Sequence, residues 1–256
     1  MKTNYTRLEP ETLAYTARVI ADGGEIISQF DIDQAYKFLK RDGLNLANFC
    51  WHSAQFGLIK DGSNAVSKLY DLSSNNWDAT QSTGALQPLW VADQQNGKAV
   101  LRFDGTNVIG RDWGVDKAQP NYRFVTCKST GDTSSIRITM DSYGNTSRHA
   151  IFYSPETGYI ATFAQDALYS STVTTGDYEL ISTLFNGGSS QIWLNSSSIA
   201  TGDAGSYSCD GQNYGADRGT TILFIGDICD GLTLFGDQSA HLAKTNDFLN
   251  MKWELY

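Results

Sequence analysis

The chain is poor in positive charge: 19 Lys and Arg stand against 28 Asp and Glu, the formal net charge is -9, and no run of Lys or Arg occurs. Attraction to a phosphate backbone is therefore excluded as a main activity, and nucleic acid is not an expected partner. Glutamate is scarce as well, limited to Glu9, Glu11, Glu25, Glu156, Glu179 and Glu254, and no strand carries the alternating acidic residues that retaining glycosidases commonly use. His52, His149 and His241 are isolated, neither H-E-x-x-H nor G-x-S-x-G is present, and no glycine-rich phosphate loop appears. Cys50, Cys127, Cys209 and Cys229 lie far apart without a C-x-x-C pair, which argues against a zinc ribbon or a dense disulfide framework and for free, buried thiols. Long apolar runs are missing too. The opening MKTNYTRLEPETLAY has no apolar signal-peptide core, and no later segment approaches the roughly 18 apolar residues that a membrane span needs. Synthesis in the cytoplasm without signal-peptide export or membrane insertion is expected, and the sequons at Asn4, Asn145 and Asn195 read as chance matches.

What is abundant is turn and strand chemistry. The chain holds 24 Gly, 13 Tyr, 12 Phe and 6 Trp among Ser, Thr and Asn tracts, the composition of strands joined by turns. Residues 1–62 read as a helical leader and docking segment in outline: one helix over about Glu11 to Ala21, ended by Asp22-Gly23-Gly24, and a second in FDIDQAYKFLKRDG, where Ile32, Ala35, Tyr36 and Leu39 recur at helical spacing. Asp31 is the expected amino-terminal cap of that helix, with Gln34 three residues later, and Gly43 its expected stop. The apolar stretch LANFCWHSAQFGL follows. From about Ser63 the period changes to two: Ala99, Leu101 and Phe103 alternate with Val100, Arg102 and Asp104, and comparable runs continue to DGLTLFG. Residues 63–256 are therefore expected to form an antiparallel β-sandwich jelly roll, closed by a helix from near Ser239 on which Leu242, Leu249 and Trp253 share a face.

LYDLSSNNWDATQSTGALQPLWV, GKAVLRFDGTN, YRFVTCKS, FNGGSSQIWLN and TILFIGDICDGLTLFG, followed by a helix ending in LNMKW, resemble the laminin-G-like or concanavalin-A-like jelly-roll domains of phage and bacterial surface proteins, over about residues 66–256. The preceding segment looks like the leader that accompanies such domains in tailed-phage virion proteins. The resemblance implies that Tyr70 packs inward, that Asp71 shapes the Ser-Ser-Asn-Asn turn, and that Asp78 fixes the loop after it. Asn76-Trp77 replaces a Gly-Asn pair common in the family, and the loop from Gly202 to Arg218 is long and Tyr-rich.

Sugar recognition places an aromatic face against a pyranose ring, with Asp, Asn or Arg at its hydroxyls. Three turn-rich stretches offer such groups: Arg111, Asp112 and Trp113; Tyr143, Asn145 and Arg148; Asn213, Tyr214 and Arg218. Each serves equally as rim decoration or as a subunit contact. Asp227 and Asp230, or Asp210 and Asp217, are the only stretches worth testing for calcium; their spacing is irregular, turn capping is the preferred reading, and no metal or cofactor is expected. The expected function is that of a non-enzymatic virion surface protein, multicopy or oligomeric, contacting other virion subunits and, weakly and multivalently, host-surface glycans. A purely structural capsid or tail decoration protein is the alternative, and a polysaccharide-degrading hydrolase working through an unrecognised Asp pair is the third.

Overall fold

A computed structural model describes residues 7–130, 135–144, 147–155, 157–217 and 221–256. Three helices are present among them: α1 (Pro10–Ala21), α2 (Gln29–Asp42) and α3 (Ser239–Trp253). The strands are β1 (Glu25–Ile26), β2 (Phe49–Ser53), β3 (Gly57–Lys60), β4 (Val66–Leu69), β5 (Ala79–Thr80), β6 (Leu89–Gln95), β7 (Lys98–Asp104), β8 (Ile109–Lys117) and β9 (Asn121–Ser129). They continue with β10 (Arg137–Asp141), β11 (Ala150–Tyr153), β12 (Tyr159–Phe163), β13 (Ala167–Val173), β14 (Glu179–Phe185), β15 (Ser190–Leu194), β16 (Ser197–Gly202), β17 (Cys209–Tyr214) and β18 (Ile225–Phe235). One sheet of ten strands runs β1-β3-β4-β5-β8-β17-β10-β11-β12-β13; a sheet of eight runs β16-β15-β14-β9-β18-β7-β6, with β2 paired to the second half of β18. Among the described residues the strands of both sheets pair antiparallel, so the fold is the expected β-sandwich.

The eight-stranded sheet is the middle of three layers. Phe124, Leu180, Leu232 and Trp51 point to the helices, where they meet Val19, Ile32, Leu39, Phe248 and Leu249. Their chain neighbours Val125 and Ile181, with Leu101, Phe103 and Ile228, point to the ten-stranded sheet and meet Met140, Ile151, Tyr153 and Ile160. A strand buried on both faces has no polar side to alternate with, which explains the near-continuous apolar runs of β9 and β14. Each large side chain removed from water in this way contributes about 1.5–3 kcal/mol.

The helices follow their sequence signals, with one correction. Pro10 takes the first position of α1, where a missing N–H costs nothing. In α2 the cap is Ser28, whose Oγ accepts the Asp31 N–H at 3.1 Å, and not Asp31 itself; the Asp31 carboxylate instead pairs with Lys98 at 2.8 Å. Gly43 closes α2 in the left-handed region at φ 75°, as its position implies. The helical reading of residues 1–62 is also corrected. β1, β2 and β3 lie in this segment, and β2 is inserted beside β18, so the 62/63 boundary coincides with no break in the sheets. Phe49 and Trp51 face the helices while Cys50 faces the cluster of Trp113 and Phe235, and such two-sided burial reads like a buried helix in a single sequence.

The 70s turn is architectural, as the resemblance implies. Tyr70 is buried and donates its hydroxyl to Asp22 at 2.6 Å. The Asp71 carboxylate accepts the N–H groups of Trp51, Ser73 and Trp77, each at 3.0 Å, and the Ser73 hydroxyl. Asp78 accepts the Asp71 N–H at 2.9 Å and pairs with Arg18 of α1 at 2.9 Å and Lys68 at 3.2 Å. All four cysteines are free and buried, and no helix is long and apolar enough to cross a membrane.

Candidate functional site

The helical layer does not cover its sheet completely. It ends where Trp253 packs on Val100 and Cys229, and the same sheet face continues beyond that contact. Strand register then lines up one row of side chains across four strands: Leu89 opposite Arg102, Arg102 opposite Asp227, Asp227 opposite Lys128. Asp104 and Ile225 form the next row, and the Thr130 N–H bonds the Ile225 carbonyl at 3.1 Å. Arg102, Asp104, Lys128, Ile225 and Asp227, with Gln94 and Tyr178 as further walls, line a groove of about 470 Å³. Gly226 makes the floor possible: at φ 150° a Cβ would overlap the Lys128 carbonyl.

The groove's polar groups are not equivalent. Arg102 grips Asp227 with Nε at 2.8 Å and Nη2 at 2.9 Å, Nη2 also reaches Gln94 Oε1 at 2.9 Å, and the Tyr178 hydroxyl donates to Asp227 Oδ2 at 2.7 Å. Burial and then the bond to Asp227 push the Tyr178 hydroxyl above its ordinary range, and pairing with Asp227 raises Arg102. Lys128 Nζ lies 5.4 Å from the Tyr178 ring centroid and has no ion pair among the described residues. Ile225 is 41% exposed. The site is thus an aromatic ring and an aliphatic side chain beside a locked carboxylate and two cations.

The stretches singled out in the sequence lie elsewhere, on the ten-stranded sheet. β8, β17 and β10 are neighbours there, with Arg111 opposite Gln212, Asp112 opposite Gly211, and Asn213 opposite Asp141. A Cβ on Gly211 would overlap both the Arg111 carbonyl and Tyr143 Cβ, so the first two stretches meet over that glycine. Tyr143 is 44% exposed, and its N–H and that of Gly144 bond Asp210 Oδ1 at 3.1 Å. Asp112 accepts the Gly114 N–H at 2.7 Å, and Arg148 pairs with Asp141 at 2.9 Å over the Phe163 ring. Asn145 and Arg218 lie outside the described residues.

Three of these candidates are buried and engaged within the fold. Trp113 is buried, stacked on Trp77 at 5.2 Å and set against Phe235 at 5.0 Å. Tyr214 is buried between the sheets and donates its hydroxyl to the Gly231 carbonyl at 3.0 Å. The Asn213 amide donates to the carbonyls of Ala216 and Asp217, both at 3.2 Å, and so shapes its own turn. Neither ring has a free face, and the amide is already engaged.

The acidic residues considered for calcium are all engaged by protein donors. Asp227 holds Arg102 and Tyr178; Asp230 holds Lys252 at 2.9 Å, Trp51 Nε1 at 3.1 Å and Trp253 Nε1; Asp217 accepts the N–H groups of Thr221 and Ile222 at 2.6 and 2.9 Å. Among the described residues no group of three His, Cys, Asp or Glu side chains is arranged to hold a metal ion. The histidines are dispersed: His52 bonds the Trp77 carbonyl, His149 stacks on Phe185, and His241 meets Asp42.

No family model and no curated protein matches the chain. Solved structures do. The receptor binding domain of botulinum neurotoxin D is 13% identical over 82% of this chain and 53% of that chain, with a TM-score of 0.54. The receptor binding domain of the mosaic serotype C/D neurotoxin is 14% identical over 82% of this chain and 51% of that one, again at 0.54. Trypanosoma rangeli sialidase, solved in complex with sialic acid, is 10% identical over 86% of this chain and 38% of that one, at 0.52. The chain therefore spans about half the length of the toxin domains and less of the sialidase. At such identities the likeness is one of fold, and it places the chain among antiparallel β-sandwiches.

Proposed function

We propose that this protein is a non-enzymatic carbohydrate-binding β-sandwich that works in many copies on a surface assembly, and that the groove of Arg102, Asp227, Lys128 and Tyr178 is its sugar site. The observation that carries the reading is the convergence, on a sheet face left bare by the helices, of an aromatic ring, an exposed aliphatic side chain and the donors Arg102 Nη1 and Lys128 Nζ, which meet no acceptor among the described residues. The fold shared with domains described as receptor binding supports it. Hydrolysis by the retaining route needs two free carboxylates about 5 Å apart, and Asp227 is held by Arg102 and Tyr178. A tailed-phage particle as the setting rests on the sequence resemblance, and multiple copies there turn weak contacts into firm attachment. The exposed rim group of Arg111, Asp112 and Tyr143 lies outside this sugar site and serves as rim decoration or as a subunit contact. The protein, tetramerised through a biotin tag, is expected to retain glycans on an array and to lose them as Tyr178→Ala; no retained glycan at any valency overturns the proposal, and release of reducing ends replaces it with the hydrolase.

One observation favours the structural alternative, in which the protein decorates or cements its assembly. Every exposed residue of α1 after Pro10, namely Leu13, Ala14, Ala17, Ile20 and Ala21, is apolar. A helix packed on a core normally shows water a polar face. In this reading the outward stripe docks on a neighbouring subunit, and native mass spectrometry separates the cases: assembly lost in Leu13→Glu/Ile20→Glu with glycan retention intact assigns docking to α1 and binding to the sandwich.

A further inference from the structure

The groove's remaining hydrogen-bonding capacity is one-sided, and this bears on which sugar it takes. Asp227 already accepts three hydrogen bonds from protein donors. Arg102 Nη1 and Lys128 Nζ have none among the described residues, although Asp227 lies between them on the row. Among the lysines of the described residues, Lys117 and Lys128 differ from the others, and of these two Lys128 borders the groove. In a protein of net charge -9, lysines 37, 40, 60, 68, 98, 244 and 252 are all ion-paired. Lys117 packs over Trp77 and Phe235, and Lys128 over Tyr178, neither with an ion pair among the described residues. Acidic side chains outnumber basic ones, yet among the described residues none is ion-paired with this ammonium where it borders a groove.

The acidic side chain on the groove's other row is Asp104. Its Oδ1 accepts the Thr106 N–H and hydroxyl, and it sits on β7, whereas Lys128 sits on β9 with β18 between them. Two strand spacings, about 9.6 Å, therefore keep the Asp104 backbone from Lys128 sideways, and one row adds to that along the strands. The groove is cationic at its Tyr178 end and acidic at its Asp104 end, with Ile225 exposed between.

Building on the reading of the groove as a sugar site, we infer that it takes a carboxylated sugar, whose carboxylate meets Lys128 beside the Tyr178 ring while Arg102 Nη1 donates to a ring or hydroxyl oxygen and Asp104 accepts a hydroxyl. A charge-assisted bond to an otherwise unpaired lysine on a half-buried aromatic surface is stronger than the same bond to a hydroxyl. The sugar's apolar face covers Ile225 and the edge of Tyr178.

Titration calorimetry on the intact protein tests this with three probes, galacturonate, glucuronate and sialate oligosaccharides, each beside its own carboxyl methyl ester. At least one acid is expected to bind ten times or more tighter than its ester. Lys128→Met is expected to lose that preference without change in thermal midpoint, and Lys128→Arg to restore it. A neutral ester or neutral array glycan that binds as well as the acids, or an acid that binds Lys128→Met as tightly as the unaltered protein, overturns the inference while leaving the sugar site in place. Binding of neutral array glycans with none of the three acids bound overturns it as well. Silence of every acid, ester and array glycan removes the sugar site itself.

Discussion

The rim on the ten-stranded sheet and the groove on the eight-stranded sheet use the same residue types to opposite ends. At the rim the aromatic rings are spent on the core: Trp113 is sandwiched between Trp77 and Phe235, and Tyr214 is sealed between the sheets, which leaves Tyr143 as the exposed ring. In the groove the ring is half-buried, its hydroxyl is fixed by Asp227, and a lysine lies over its face without an ion pair among the described residues. Aromatic and polar residues close together in a loop do not make a binding surface. What matters is which of them the strands turn outward and which hydrogen bonds are left over after the fold has taken its share.

Breaking the rim is expected to break the protein. Trp113→Ala removes a ring packed on two others and is expected to cost about 3–5 kcal/mol, read as a lower urea midpoint with unchanged glycan affinity in the folded fraction. A rim variant that keeps its stability but loses glycan would reverse the two assignments.

Acid provides a second lever on the rim. His149 is buried, stacked on Phe185 at 4.1 Å, and donates Nε2–H to the Tyr207 carbonyl at 2.7 Å, while Nδ1 has no partner among the described residues. Burial, and then the nearby Arg123 guanidinium, push its pKa down to about 3. The folded protein thus keeps this ring neutral while the unfolded chain takes up a proton below about pH 6.5, so the stability it allows is complete above that value and falls as the pH drops towards 3. Between pH 6.5 and 4.5 the loss is expected to reach about 2–3 kcal/mol. Urea midpoints at the two pH values should differ more for the unaltered protein than for His149→Gln; equal differences would contradict the assignment.

In the groove the expected pattern is reversed, with function lost before stability. Arg102→Met removes the fork on Asp227; because the arginine is 44% exposed, the cost is expected to be only about 1–2 kcal/mol. Glycan retention should nevertheless drop at least tenfold on an array. The smallest effect is expected at the exposed ring of the rim: Tyr143→Ala should change stability by no more than about 0.5 kcal/mol and affinity by less than twofold, and a large loss of binding there would move the sugar site to Arg111 and Asp112.

The sequence made the helices readable because their caps and spacing are local. Gly43 and the Leu249/Trp253 face of α3 needed no knowledge of the rest of the chain. β2 escaped because burial on two faces erases alternation. Trp113 carried no usable signal, since Ile109, Arg111 and Trp113 share strand parity while Ile109 and Trp113 are buried and Arg111 is exposed. The groove had almost none. Arg102, Lys128 and Asp227 come from separate strands, Tyr178 from the residue before β14, and they meet only through register; Asp227 drew notice as a calcium candidate, but the arginine that claims it lies 125 residues away.

The most direct test is a map of backbone amide shifts on adding a glycan that the array identifies. The account predicts that the perturbed amides cluster at Arg102, Lys128, Tyr178 and Ile225 to Asp227, with Arg111, Asp112 and Tyr143 unmoved. Perturbations confined to those three rim residues, with the groove silent, would contradict it.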